Sequence, residues 1–576
     1  MPVLAFMAAQ ERGPAASGHE IAVPIHAAVA SAAPARSAAV NALSADLERM
    51  IQSSGMSNSR WSVLVVSLDK GDTLFSHQAD AQLAPASGLK LFTTAAALYY
   101  LGPEFRYSTF LLADGKIENG VLAGDLVVYG TGDPSFTARF GRRDGIWHAF
   151  ADTLAALGVR EVRGSLIGDA SYFAGPGTGV GWQEDYIGAS YAAPASALSY
   201  GENIATLEIK PRAVGEPPFV GLTDGADELE VVNHAKTVAR GRSFIHVARS
   251  SYDAPLEVRG QISRGTTSIQ RTVPVADPAQ YAAAVFKKIL LDKGITVTGP
   301  ARSVTSAGES PVTGRMVFAP ALDAKQPVRV LAIHQSPALL DILEIVNKKS
   351  HNPMAEQTLR TVGRVALGEG SVAAGEKAVV RLLVNETGDA PDGFDMDDGS
   401  GLSVLDRASA RNFISLLSFM AKSPMFDSYW QTLPEAGVRN GLRRMGGTPA
   451  AGNLRAKTGT IDNVSSLSGY VRASDGERLA FSIISNNVAS TYRAKRIEDA
   501  ISVRLASFDR NNDRPMNVRV NAPAAGKASG RSVTIRRGDT LQKIARRNGT
   551  SVAALQRANP GITNPRLVAG RKLRLP

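Results

Sequence analysis

The chain of 576 residues contains no cysteine. Disulfides, thiolate metal sites and a cysteine nucleophile are excluded at once. Histidine is scarce as well. Its eight copies show neither H-x-x-H nor H-E-x-x-H spacing, which removes the zinc-peptidase pattern. No stretch approaches the run of about 18 apolar residues that a membrane span needs. The last 46 residues are rich in Lys and Arg but hold no aromatic residue. Stacking on nucleic-acid bases is therefore not built into that basic segment. The length exceeds what one compact core organises, so several domains are expected.

Against these absences stands P-A-S-G-L-K at residues 85–90. It opens the apolar run L-K-L-F-T-T-A-A-A-L-Y-Y-L, which Gly102-Pro103 stops. The pattern predicts one helix with Ser87 in its first turn. Residues three apart share a helix face, so the Lys90 amine reaches the Ser87 hydroxyl. Backbone N–H groups at a helix start favour developing negative charge. A serine, an adjacent base and such donors are the minimum for acyl transfer. Alone, S-x-x-K arises by chance in a chain this long, and Ser87 alone would pass for a helix cap. Order changes that reading. Ser350-His351-Asn352 follows 263 residues on, and Lys457-Thr458-Gly459 follows after a further 107. S-x-x-K, S-D-N and K-T-G mark penicillin-binding proteins and class A β-lactamases.

The long first gap resembles the D-alanyl-D-alanine carboxypeptidase/endopeptidase family, the class C low-molecular-mass penicillin-binding proteins. In that family an extra domain is inserted between the first two motifs. Gly132-Asp133-Pro134, the run Asp398-Gly399-Ser400-Gly401-Leu402-Ser403 and Leu433-Pro434-Glu435-Ala436-Gly437 match it too. The resemblance spans about residues 40–507. Three positions depart from it. His351 stands where the family usually has Asp, Val404 where it often has Arg, and Asp406-Arg407 where it often has Asn-Arg.

The resemblance implies an α/β (α+β) fold, with a serine β-lactamase/DD-peptidase-like transpeptidase core and a large β-rich inserted domain. Ser87, Lys90 and Ser350 would be catalytic: nucleophile, base, and proton relay to the leaving amine. Burial and the charge of Lys457 are expected to lower the pKa of Lys90. Asn352 would hold the substrate amide. Lys457 and Thr458 would grip the carboxylate of a terminal D-alanine, while Gly459 lets the substrate backbone approach. The oxyanion donors would be the backbone N–H groups of Ser87 and Thr460. Asp398 and Ser400 would support the site from behind. Asp133 either faces the substrate stem or merely shapes the turn before Pro134. The implied substrates are peptidoglycan stem peptides, with β-lactam antibiotics as inhibitors and no cofactor or metal. Two alternatives stand beside this reading. A serine β-lactamase needs a positioned water and base, and no residue is assignable to them. A non-catalytic peptidoglycan-binding scaffold would not need the complete motif set.

The resulting organisation is discontinuous. Residues 1–37 form an Ala- and Pro-rich, disordered N-terminal segment. Its first ten residues resemble the end of a truncated signal peptide, which an extracytoplasmic or periplasmic substrate favours over a mere tail. Residues 38–111 and 311–507 make the catalytic core, with helices expected at 40–53, 328–349, 352–367 and 491–507. Residues 112–310 carry the strand-like runs of the insert, and 508–531 a linker. Residues 532–576 read strand, helix, helix, strand and strongly resemble the LysM module, which binds N-acetylglucosamine-containing glycans. Its glycan contacts would come from backbone groups around Gly538, Asp539, Thr540 and Leu541 and from Asn559 to Ile562. Residues 531–576 hold eleven Lys and Arg against one Asp, whereas the whole chain is only +11. The basic character belongs to this module, and an anionic cell-wall polymer is the partner it suits.

Overall fold

The computed structural model describes residues 37–224, 230–312, 328–388, 393–512 and, towards the C-terminus, 532–536, 539–548, 550, 552–559 and 570–575. The N-terminal segment 1–36, linker residues 513–531, Gly538 and Ile562 lie outside the described residues.

Helix α1 (Ala38–Gln52) starts at Ser37, whose hydroxyl accepts from Val40 N. Strands β1 (Arg60–Ser67) and β2 (Thr73–His77) then pair antiparallel. The β1 run is apolar on both faces because both are covered. Val63 and Val65 pack towards one hydrophobic cluster and Leu64 towards another, as strand periodicity demands. A 3₁₀ turn (Ala86–Leu89) leads into α2 (Lys90–Tyr100). The expected helix is thus present, with Ser87 in a first turn tighter than α. Every residue from Lys90 to Leu98 is buried. A lysine inside such a helix is costly unless its charge is balanced or lost.

β3 (Ser108–Glu118) and β4 (Val121–Gly130) open the strand-rich region. It contains seven-, four- and three-stranded sheets around a core that includes Leu126, Trp147 and Phe286. The chain returns on β5 (Arg329–Gln335), antiparallel to β3. The helix expected from residue 328 therefore begins late. Pro337 disfavours helix at the residue before it, and the β-branched run pairs with β3 instead. Helix α3 covers Leu339–Lys348.

Helix α4 (Asn352–Leu367) has His351 as N-cap, Pro353 in its first turn and Gly368 in the left-handed conformation at its end. α5 (Val372–Thr387) and α6 (Ala410–Met420) follow. β6 (Arg455–Ile461), β7 (Val464–Arg472) and β8 (Arg478–Asn486) then join β1 and β2 in one antiparallel sheet, ordered β6-β7-β8-β1-β2. Helix α7 (Thr491–Ala506) packs beside α1, and a buried Arg504–Asp46 ion pair at 2.9 Å ties the two. The two ends of the core thus share a sheet, which puts Ser87 and Lys457 side by side.

At the C-terminus, β9 (Ser532–Thr534), α8 (Leu541–Arg547), α9 (Val552–Ala558) and β10 (Lys572–Arg574) follow the expected order, with β9 and β10 antiparallel. Ile535, Leu541, Ile544, Leu555 and Leu573 form their small core. Among the described residues no helix is long and apolar enough to cross a membrane.

Candidate active site

Ser87 is half-buried, in a turn whose other residues are all buried. The residue before it, Ala86, has φ +48°, a left-handed conformation that a non-glycine residue adopts at a cost. Two glycines lie against this turn. A Cβ on Gly401 (φ +76°) would lie 1.9 Å from Ala86 O and 2.9 Å from Ser87 N. A Cβ on Gly459 would lie 2.2 Å from Ser466 Oγ and 2.4 Å from Pro85 O. Its missing side chain admits the nucleophile's own turn against β6.

Lys90 has no exposed surface, and its ammonium is fully engaged. Nζ donates to Ser87 Oγ at 2.9 Å, to Asn352 Oδ1 at 2.7 Å and to Ser400 O at 2.6 Å. Burial pushes its pKa down to about 8, while Asp398, Glu356 and Asp406 pull it back up. Lys90 and Lys457 repel one another, and burial followed by that repulsion holds the pKa of Lys457 well below the ordinary lysine value.

Lys457 is also fully buried. It donates to Ser350 Oγ at 2.9 Å and to Thr458 O at 2.7 Å. Its ammonium thus lies beneath the surface of the cleft wall. Thr458 is half-buried and Thr460 exposed, so they form the accessible part of the strand, with Thr460 Oγ1 turned onto Gly459 O at 2.7 Å. Ser350 is half-buried and has φ +55°. Asn352 spends its amide on protein partners: Oδ1 accepts from Lys90, and Nδ2 donates to Tyr191 O at 2.9 Å.

Asp398 organises the D-G-S-G-L-S loop. Oδ1 accepts from Ser400 N at 2.8 Å and Gly401 N at 2.5 Å. Oδ2 accepts from Ser403 N at 2.7 Å and from Trp182 Nε1 at 2.8 Å. The loop so fixed presents Ser400 O to Lys90. Two further acids, unmarked by the sequence reading, complete the floor. Glu356 accepts from Gly399 N at 3.1 and 3.0 Å, and burial followed by the Asp398 charge pushes its pKa up to about 8. Asp406 accepts from Asp397 N at 2.9 Å and Asp398 N at 3.3 Å, and burial raises it well above the carboxylate range. Its Oδ2 has no hydrogen-bond partner, as fits an acid that keeps its proton. One signal for Glu356 was available: it stands four residues after Asn352, on the same helix face. Val404, the second departure, gives its N–H to Gly181 O at 3.3 Å.

Asp133 lies apart from this cluster. It is 1% exposed, accepts from Ser135 N at 2.8 Å and stands 3.5 Å from His334 Nε2 on β5. Burial pushes its pKa up to about 7. It is packed inside the β-rich region, and the turn reading of Asp133 describes its contacts better than the substrate reading.

In the C-terminal module, Asp539 Oδ2 accepts from Arg536 N and from Arg547 Nη2, both at 2.9 Å. Thr540 Oγ1 accepts from Lys543 N at 3.2 Å at the start of α8, and Leu541 is buried. Asn559 bonds Leu555 O and Arg574 O at 2.8 Å and Arg574 N at 2.9 Å. These side chains hold the fold together, which leaves backbone groups for any glycan.

The model of the D-Ala-D-Ala carboxypeptidase 3 (S13) family matches residues 43–508, and that of the LysM domain matches 533–576. The chain is 32% identical to a D-alanyl-D-alanine carboxypeptidase of Actinomadura sp. (strain R39), over 83% of this chain and 86% of that one. It is 26% identical to the D-alanyl-D-alanine carboxypeptidase DacB of Haemophilus influenzae, over 77% and 88%. The crystal structure of penicillin binding protein 4 from H. influenzae superposes with a TM-score of 0.65 at 24% identity, covering 80% of this chain and 100% of that one. That likeness establishes the fold.

Proposed function

The chain belongs to the D-Ala-D-Ala carboxypeptidase 3 (S13) family of serine-type peptidases and carries a LysM domain, and from that premise we propose that Ser87 is the nucleophile that cleaves D-alanyl-D-alanine bonds of peptidoglycan stems. One observation carries the assignment of residues: the fully buried Lys90 ammonium bridges Ser87 Oγ, Asn352 Oδ1 and Ser400 O.

Lys90 takes the Ser87 proton as Oγ attacks the carbonyl between the last two D-alanines. A pKa near 8 leaves a useful fraction of neutral amine at physiological pH. Ser350, oriented by Lys457, passes a proton to the departing D-alanine. Water then hydrolyses the ester on Ser87. The backbone N–H groups of Ser87 and Thr460 serve as oxyanion donors. Thr458 and Thr460 meet the substrate carboxylate, and Lys457 acts on it through its field from below. The same site takes penicillin, whose carboxylate occupies the corresponding place, and cleavage extends to D-alanyl cross-links. Division of labour follows the fold: 38–107 with 336–507 for chemistry, the β-rich region, whose sheet runs from β3 to β5 and so passes the boundaries expected at 111 and 310, for the surroundings of the cleft, and 532–576 for holding the enzyme on the wall. The peptidase and the LysM domain both point to an extracytoplasmic location, and the periplasm is the compartment that fits.

Intact-protein mass spectrometry after benzylpenicillin treatment tests the assignment. One adduct is expected, absent in Ser87→Ala. An adduct that persists in that variant overturns it. A slow, stable adduct also separates this reading from a β-lactamase, whose adduct vanishes in seconds, and from a scaffold, which forms none.

A further inference from the structure

His351 stands between Ser350 and Asn352, and both of its ring nitrogens are in use. Nδ1 accepts from Met354 N at 3.3 Å, capping α4. The hydrogen-bond roles therefore assign the proton to Nε2, which donates to Glu202 Oε2 at 2.9 Å. Glu202 belongs to the β-rich region, 149 residues away in sequence. Its other contacts are Thr137 Oγ1 at 2.7 Å and Arg139, with Nε at 2.6 Å and Nη2 at 3.1 Å. The pair is secluded, His351 being 10% and Glu202 16% exposed. Burial works against the Glu202 anion, yet the bonds from His351, Arg139 and Thr137 hold it well below the usual carboxylate range.

The backbone is left-handed at a residue on each side of this contact. Glu202 has φ +63° and Ser350 has φ +55°, left-handed conformations that non-glycine residues hold only when their surroundings enforce them. Ser350 Oγ must stay beside Lys457 Nζ, and Asn352 Oδ1 beside Lys90 Nζ. The residue joining them is anchored by a carboxylate of the β-rich region. A second bond from the same region, Tyr191 O to Asn352 Nδ2, reaches the neighbouring position.

We propose that Glu202, backed by Arg139, acts through His351 as a positioning residue for Ser350 and Asn352, so that the inserted region governs the acylation step itself. The proposal rests on the roles given to Ser350 and Asn352 above. It gives the β-rich region a part in the chemistry beyond shaping the surroundings of the cleft. It also accounts for histidine at this position. An aspartate would cap α4 equally well, but it would set a second carboxylate against Glu202.

The test is single-turnover acylation of the full chain by benzylpenicillin, resolved into a first-order rate and an apparent dissociation constant, with thermal unfolding alongside. Glu202→Gln and His351→Asp are expected to lower the first-order rate about ten- to a hundredfold, as for a misplaced catalytic group. The dissociation constant should change far less. The double variant His351→Asp with Glu202→Gln restores a donor facing an acceptor and should recover most of the rate. If His351→Asp fails to fold, Glu202→Gln and Arg139→Gln decide alone. Wild-type rates in folded Glu202→Gln, or no recovery in the double variant, overturn the proposal. Absence of any wild-type adduct on Ser87 would instead strike the function on which it rests.

Discussion

The catalytic cleft and the C-terminal module use the same charged residue types in opposite ways. In the cleft, Lys90, Lys457, Asp398 and Asp406 have no exposed surface, and Glu356 has 1%. Burial and neighbouring charges shift the proton affinities of Lys90, Lys457, Glu356 and Asp406, and chemistry follows from that. In the module, Arg536, Lys543, Arg547, Arg571, Lys572 and Arg574 are all exposed. Such charges give a salt-dependent attraction and little else. Number of charges is a poor guide to function here. The module holds most of the net charge of the chain, but the reactivity sits in a handful of residues whose charges nearly cancel.

Glycine 459 offers the harshest test of the cleft's side of this comparison. Gly459→Ala drives a Cβ into Pro85 O and Ser466 Oγ, so β6 and the Ser87 turn must separate. Penicillin acylation is expected to fall about a hundredfold, the order seen when a reacting group shifts by about 1 Å. A stopped-flow rate near wild type would show that the turn tolerates the displacement.

Asp133 sharpens the rule that burial, not location in the cleft, sets proton affinity. Its carboxyl keeps its proton up to about pH 7 when folded, against 3.8 ordinarily. The unfolded chain loses that proton first, so stability falls as pH rises from about 4 to 7 and stays reduced above. Asp133→Asn still accepts from Ser135 N but escapes the penalty. It should be more stable than wild type by about 2–4 kcal/mol at pH 8, with the gap closing near pH 4. Denaturation at those two pH values checks the sign, and a gap independent of pH contradicts it.

The smallest effect on chemistry is expected from removing the module. Truncation after about Gly530 should leave hydrolysis of a small soluble D-Ala-D-Ala peptide unchanged while cutting co-sedimentation with purified peptidoglycan. The loss should persist at high salt if a packed sugar site contributes. Binding that disappears wholly with salt in the full chain would reduce the module to a basic patch.

Much of this was legible in the sequence because the motifs are local. Ser87 and Lys90 are three residues apart, α4 runs over 352–367 as its caps announce, and the module's strand-helix-helix-strand order follows from short punctuated runs. What escaped depends on long-range contact. Nothing in K-T-G says that Gly459 will face Pro85, because the two meet only when β6 closes the sheet. Glu356 and Asp406 look like ordinary helix and loop acids until Asp398 lies between them. His351 looked like a local departure from a motif, and its partner Glu202 sits in the other half of the fold. The start of α3 was missed for a local reason, Pro337, which a closer weighing of turn residues would have caught.

The account stands on burial having turned Lys90 into a base. The direct measurement is the pH dependence of Ser87 acylation by benzylpenicillin under single-turnover conditions, from about pH 5.5 to 10. Only neutral Lys90 accepts the serine proton, so the rate should climb with pH through a midpoint of about 8 and then level off. A flat profile, or a midpoint at the ordinary lysine value of 10.5, would contradict it.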